Sequence, residues 1–100
     1  MKRVSRSGVI DQTSGTTIYT VPLAGTASLS GLRFSVGNIA TAITVSSFVS
    51  STGVTTTYTL DLIPGDQMSD DTTFVLAAGD YVKVESTAPG VTYYSYIDIP

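Results

Sequence analysis

The segment Val54-Thr-Thr-Thr-Tyr-Thr-Leu-Asp-Leu62 alternates between two kinds of side chain. Every second position from Val54 carries the larger and mostly apolar residues, and the positions between them carry Thr or Asp. Successive side chains of a β-strand point to opposite faces, so a period of two indicates a strand rather than a helix. The segment therefore predicts a strand with one face on a core and the other in water.

Similar short segments flank this one from Thr16 onward, separated by Gly, Pro, Asn and Asp about every ten residues, a spacing typical of sandwiches and barrels. The predicted strands are 16–21, 26–36, 43–49, 54–62, 72–76, 81–85 and 91–99. Helical periodicity is absent. The predicted fold is all-β, a single antiparallel β-sandwich of seven or eight strands over residues 16–100. Its topology is jelly-roll or immunoglobulin-like, and strand order stays open.

The alternation changes phase within residues 26–36. Ala27 and Leu29 share one parity, whereas Leu32, Phe34 and Val36 share the other. A β-bulge or a sharp bend at the intervening glycine, residue 31, would return both sets to the same face.

Residues 1–15 show little periodicity and are rich in Ser, Gly, Asp and Gln. They predict an extended N-terminal basic arm outside the sandwich domain. Lys2, Arg3 and Arg6 supply three of the five basic residues of the chain. We expect the arm to lie on an acidic neighbour, and the alternative is a disordered basic tail.

The composition excludes several kinds of chemistry. The 100 residues fit one domain, and they include no His, no Cys and no Trp. A histidine base, a thiolate nucleophile, a cysteine metal site and a disulfide framework are therefore excluded. Ser and Thr together contribute 29 residues, 13 and 16 respectively, but a hydroxyl nucleophile needs an adjacent base. We expect no enzymatic activity and no cofactor.

The net charge of −3 argues against nucleic acid as a partner, because phosphate binding needs a basic face. No apolar run approaches the roughly 20 residues of a membrane span. The first 15 residues also lack the apolar core of a secretory signal. We expect a soluble protein with no membrane partner, made in the cytoplasm of its cell.

The acidic residues were assessed as ligands and catalysts. Asp66, Asp70 and Asp71 form the best candidate for a metal site, because hard cations bind several oxygens. Their spacing matches no EF-hand loop, so a solvated acidic turn is favoured and no metal is predicted. The remaining acids fall in turns or on outward strand positions, which predicts no facing pair of catalytic carboxylates.

Tyr81, Tyr94 and Tyr96 fall at outward strand positions. Tyrosine is amphipathic and enriched where proteins meet partners, so the three predict an interface patch or a platform on which a sugar stacks. The alternative is that they are cross-strand packing pairs at a sheet edge.

Two turns resemble elements of small β-sandwich domains in virion proteins of tailed bacteriophages. The string Ile18-Tyr-Thr-Val-Pro-Leu-Ala-Gly25 resembles the "YTVPAG" strand and turn of these domains, with Leu23 as one added residue. The segment after it ends at Val36-Gly-Asn38, as in the family. Leu76-Ala-Ala-Gly-Asp-Tyr-Val82 resembles the "L-x-AGD-x-V" turn before the penultimate strand. The resemblance covers residues 16–99.

This resemblance implies a non-enzymatic virion component, and the favoured role is a capsid decoration (cement) protein on the outer capsid surface. Its partners would be the major capsid protein or other virion proteins, together with copies of itself, a trimer being favoured. The arm residues and the three tyrosines are the predicted contacts. The alternatives are a tail, baseplate or head-fibre component, or a carbohydrate-binding adhesin module.

Overall fold

The computed structural model describes residues 2–100, which form nine strands and no helix. The strands are β1 (Lys2–Val9), β2 (Thr16–Thr20), β3 (Thr26–Ser35), β4 (Thr41–Val49), β5 (Val54–Leu62), β6 (Gln67–Asp70), β7 (Phe74–Ala77), β8 (Tyr81–Ser86) and β9 (Thr92–Ile99). One sheet has the order β1-β9-β3-β6, with β7 also paired to β3. The other has the order β2-β8-β4-β5, and every pairing is antiparallel.

The strand order identifies the topology as a jelly roll. The chain moves between the two sheets, its first and last strands lie side by side, and eight strand positions result, as in other jelly rolls. The count reaches nine because β6 and β7 both pair with β3 and together occupy one position. The predicted all-β sandwich is thus confirmed, and its topology is the first of the two predicted forms.

The core lies between the sheets and contains the inward side chains of both. Its largest fully buried members are Phe34, Leu29, Leu32, Ile43 and Ile97. The predicted phase change in β3 is confirmed, because residues on both sides of Gly31 are buried and the pairing with β9 shifts register there.

The structure differs from the sequence-based prediction at the N-terminus. The predicted arm, residues 1–15, includes β1, whose eight residues pair with β9 from Lys2↔Ile99 to Val9↔Thr92. Met1 lies outside the described residues. As the edge strand of its sheet, β1 has only Val4 half-buried, so its sequence lacks the alternation that marks inner strands. Most of the arm therefore belongs to the sandwich.

Two further differences concern the opposite side of the molecule. Residues 67–70, which lie outside the predicted strands, form strand β6. β5 is one of the two edge strands of its sheet. Of its predicted core residues only Leu62 is buried, while Val54 is 55% exposed. Alternation in residues 54–62 thus predicts the strand correctly but overstates how much of it reaches the core.

Candidate interaction surface

The outer face of the five-stranded sheet brings together three of the predicted contact residues, Arg3, Tyr94 and Tyr96. Their strands adjoin, with Arg3 opposite Asp98 and Ser5 opposite Tyr96 in the antiparallel register. The inward positions of β9 are taken by buried residues such as Ile97, so the alternate positions face outward, as predicted. We call Arg3, Tyr94, Tyr96 and Asp98 the β1–β9 surface.

Arg3 is held in place by two kinds of contact. Its guanidinium donates two hydrogen bonds to the carboxylate of Asp98, from Nε to Oδ1 at 2.7 Å and from the second terminal nitrogen to Oδ2 at 3.0 Å. It also lies 5.0 Å from the centroid of the Tyr96 ring, a cation–π distance. The hydrogen bonds from Arg3 lower the pKa of Asp98, and the same bonds raise the pKa of Arg3.

The two tyrosines are fixed in turn by their neighbours. The rings of Tyr94 and Tyr96 meet edge to face, with centroids 5.2 Å apart. Tyr96 also covers Gly31, where a Cβ would lie only 2.8 Å from the ring. The β1–β9 surface is therefore a chain of contacts from Asp98 through Arg3 and Tyr96 to Tyr94, built on rigid strands.

A shallow groove of about 410 Å³ continues from Tyr94 across the same sheet. Among its lining residues are Arg33, Gln67 and Ser69, on β3 and β6. Arg33 and Gln67 are not among the site residues predicted from the sequence. For Arg33 a signal existed, since the phase change at Gly31 places it outward between two buried residues. For Gln67 none existed, because β6 was not recognised as a strand.

Arg6 and Lys2 lie at the other face of β1. Arg6 stands opposite Ser95, an inward residue of β9, and its guanidinium lies 5.5 Å from the ring centroid of Tyr19 in the other sheet. Arg6 thus covers the opening between the two sheets rather than joining the outer surface. Lys2 is exposed near the start of the strand.

Tyr81 is separate from the other two tyrosines. It belongs to β8 of the four-stranded sheet and stacks on Phe48 of β4, with ring centroids 4.9 Å apart. The expectation of one patch of three tyrosines is therefore wrong, because alternation gives the facing of a strand but not its sheet. For Tyr81 the arrangement is the cross-strand packing pair considered as the alternative.

The acidic residues of the candidate metal site, Asp66, Asp70 and Asp71, lie at the two ends of β6. Asp70 accepts hydrogen bonds from the Tyr58 hydroxyl and the Thr72 amide. Burial alone would raise the pKa of Asp70, but these two bonds lower it overall. Within residues 2–100, no three or more Asp or Glu side chains are grouped so as to hold a metal ion. The same residues contain no helix long and apolar enough to cross a membrane.

Comparison with known proteins gives a likeness of fold. No family model matches the chain, and no curated protein matches it. A solved structure of Bacillus endospore appendages, described as disulfide-linked pili, is 18% identical with a TM-score of 0.61, over 96% of this chain and 80% of that one. The globular domain of zebrafish complement 1qA protein is 13% identical with a TM-score of 0.56, over 97% and 94%.

A third similar structure is a pentameric capsid protein isolated from metagenomic phage sequences. It is 18% identical to this chain with a TM-score of 0.55, and the alignment covers 95% of this chain and 61% of the capsid protein. At these identities the three structures show a shared β-sandwich fold. By its own description the third structure is a phage capsid protein, and its likeness to this chain is one of fold.

Proposed function

We propose that this chain is a non-enzymatic structural protein of a bacteriophage virion, a capsid decoration (cement) protein that binds the outer surface of the shell. The observation that carries the proposal is the β1–β9 surface. Tyrosine and arginine are the residues that most often dominate binding energy at protein interfaces, particularly where they are held rigid before binding. Here Arg3, Tyr94 and Tyr96 are ordered by contacts within the chain itself.

The similar structures support an assembly role. Two of the three are, by their own descriptions, pili and a pentameric capsid protein. This chain contains no Cys, so copies of it cannot be linked by disulfides as those pili are. Non-covalent contacts repeated by symmetry, as on a capsid, fit the chain better.

The absence of catalysis is part of the proposal. With no His and no Cys in the sequence, the carboxylates are the first candidates for a catalytic site. Asp70, Asp80 and Asp98 each accept hydrogen bonds from neighbouring groups in this fold. Those bonds give the carboxylates structural roles.

The proposal is tested with phage shells that lack the protein. We expect the purified chain to co-sediment with such shells and to raise their resistance to heat or chelator. Tyr94→Ala should weaken binding at least tenfold, about 1.4 kcal/mol. The matched control is Tyr81→Ala, which removes a tyrosine of the other sheet and should leave binding unchanged. Equal losses for the two variants, or recovery of the chain with tails rather than heads, would contradict the proposal.

The groove beside Tyr94 favours a second candidate, a carbohydrate-binding adhesin module. It presents an aromatic ring, the guanidinium of Arg33, and the amide and hydroxyl of Gln67 and Ser69 within one open depression. Sugars bind to such combinations of a stacking face and polar groups. The Arg33 side chain forms no ion pair within residues 2–100.

A glycan array separates the two candidates. The adhesin candidate predicts reproducible hits that disappear in Arg33→Ala, while shell binding by that variant stays at the wild-type level. A blank array removes this candidate and leaves the decoration proposal intact.

A further inference from the structure

The charged residues divide between two opposite sides of the sandwich. One side is formed by the edge strands β1 and β2, and it carries Lys2, Arg3 and Arg6, three of the five basic residues. The other side is formed by β5, β6 and β7, which meet where Tyr58 contacts Asp70 and Phe74. Four of the eight acidic residues lie on this second side, namely Asp61, Asp66, Asp70 and Asp71.

Most of these charged side chains form no ion pair among residues 2–100. Arg3 pairs with Asp98, but in the described part of the chain Lys2, Arg6, Asp66 and Asp71 form no ion pair. Opposite charges on opposite sides of one molecule attract a second copy placed side by side with the first.

Both sides also end in unpaired strand edges. β1 has eight residues and pairs only with β9, and the outer edge of β6 and β7 carries no strand within residues 2–100. Such edges are ready to accept another strand.

Strand direction fits the same arrangement. β1 is antiparallel to β9, β9 to β3, and β3 to β6 and β7, so β1 runs opposite to β6 and β7. In the other sheet, three antiparallel steps likewise make β2 run opposite to β5. Two copies in the same orientation, side by side, would thus meet with antiparallel edges in both sheets.

The charges also lie at the same level along the strands. Arg6 is opposite Ser95, which sits beside the bulge of β3, and Asp70 is opposite Leu32 at that bulge. Arg6 of one copy therefore faces the Asp70–Asp71 region of a neighbour without a large shift along the strand axis.

We infer that a second copy of this chain occupies the basic edge, with β1 of one copy pairing head to tail against β6 and β7 of the next. The inference rests on the proposed function and deepens it, since it names the contact through which copies of the decoration protein associate. A head-to-tail contact closes into a ring when its rotation permits and otherwise continues as a filament.

The test is charge exchange between the two edges, with assembly measured by native mass spectrometry and sedimentation at low salt. The wild-type chain should form oligomers that dissociate as salt rises, because these charges are exposed to solvent. Arg6→Glu or Asp71→Lys alone places like charges at the contact and should weaken association at least tenfold. An equimolar mixture of the two variants should assemble again. The acidic β1 edge of the Arg6→Glu variant then meets the basic β6–β7 edge of the Asp71→Lys variant, and the two unchanged edges meet each other.

Three controls keep the result specific. Lys83→Glu makes the same change of charge on β8, an inner strand of the four-stranded sheet, and should assemble as the wild type does. Should thermal unfolding show that Arg6→Glu is destabilised, Asp71→Lys alone still tests the contact, because Asp71 is exposed and lies outside the strands. The double variant Arg6→Glu with Asp71→Lys should assemble by itself.

A wild-type chain that is monomeric at its highest soluble concentration overturns the inference, and so does a mixture that fails to assemble. Either result would assign the basic edge to another acidic partner, such as the shell itself. Failure of this inference and failure of the proposed function are distinguishable. A monomer that still binds shells contradicts only the edge pairing, whereas an oligomer that ignores shells contradicts only the decoration role.

Discussion

Gly31 shows how one residue allows β3 to face the core along its whole length. Leu29 before it and Leu32 after it are both fully buried, although their sequence parities differ. The extra residue is absorbed at Gly31, whose φ of +66° lies in the left-handed region that favours glycine. The ring of Tyr96 then covers the space that a side chain would fill.

Replacing Gly31 by Ala should destabilise the fold for two reasons. The left-handed conformation costs alanine about 1–2 kcal/mol, and a Cβ 2.8 Å from Tyr96 adds overpacking of about 1–3 kcal/mol. Gly53→Ala is the matched control, because its φ of +69° is similar but nothing lies within 4 Å. Urea unfolding should show a loss of about 3 kcal/mol for the first and about 1 kcal/mol for the second. Equal losses would mean that the Tyr96 contact is readily relieved.

Asp80 is a second residue on which local structure depends. Its side chain is almost fully buried and accepts hydrogen bonds from the amides of Ala77, at 3.0 Å, and Ser50, at 2.9 Å. The Ser50 hydroxyl adds a third bond at 3.1 Å. Together these bonds, with the Ala77 amide contributing most, lower the pKa of Asp80 and join the turn after β7 to the turn after β4.

We expect Asp80→Asn to lower the melting temperature at pH 7 by roughly 5–10 °C. Because the folded-state pKa lies below the ordinary value of 3.8, the stabilisation is present above pH 4 and is lost as the pH falls further. The difference in melting temperature between wild type and variant should therefore decrease as the pH falls from 4 to 2. Asp71→Asn, at an exposed position, serves as control, and a gap that stays constant with pH would contradict this role for the carboxylate.

At the scale of strands, the sequence predicts those elements that bury one face. β3, β8 and β9 show clear alternation, and the structure confirms their facing. β1 and β6 are edge strands whose residues are nearly all exposed, so no hydrophobic period marks them. The same limit applies to the site. The alternation along β9 predicts that Tyr94 and Tyr96 face outward, but it does not predict that β1 lies beside them.

Tyr58 links the two sheets at the side where β5 meets β6. Its hydroxyl donates to the carboxylate of Asp70, and burial, followed by the nearby carboxylate, raises the pKa of this phenol well above its ordinary value. Its ring also stacks on Phe74 of β7, with centroids 6.4 Å apart. A single side chain thus fastens an edge strand that otherwise buries little.

Tyr58→Phe keeps the ring and removes the hydrogen bond to Asp70. We therefore expect the free energy of unfolding to fall by about 1 kcal/mol at pH 7. The raised pKa means that the stabilisation is complete below pH 10 and is lost as the pH rises through the folded-state value. Chemical unfolding at pH 7 and pH 11 should show a smaller difference in unfolding free energy between wild type and variant at the higher pH. Tyr81→Phe is the control, and an equal loss there would show that the Asp70 bond contributes nothing specific.

At the scale of the whole molecule, the fold is completed by the last strand of the chain. β9 lies between β1 and β3, so residues near both ends of the chain pair along its length. Its side chains include Ile97, which is fully buried, and its outward tyrosines form most of the β1–β9 surface. The core and the proposed binding surface therefore share one strand.

Two deletions should separate the roles of the terminal strands. A chain without residues 92–100 loses the central strand of its sheet, and we expect no cooperative unfolding transition by circular dichroism. A chain without residues 1–9 loses an edge strand that buries only part of Val4, and it should keep a cooperative transition at a lower temperature. Because this second deletion removes the basic edge, it should also remain monomeric where the full chain assembles. If the chain without residues 92–100 still unfolds cooperatively, β3 with β6 and β7 can close the core without β9. The binding surface would then be dispensable for folding.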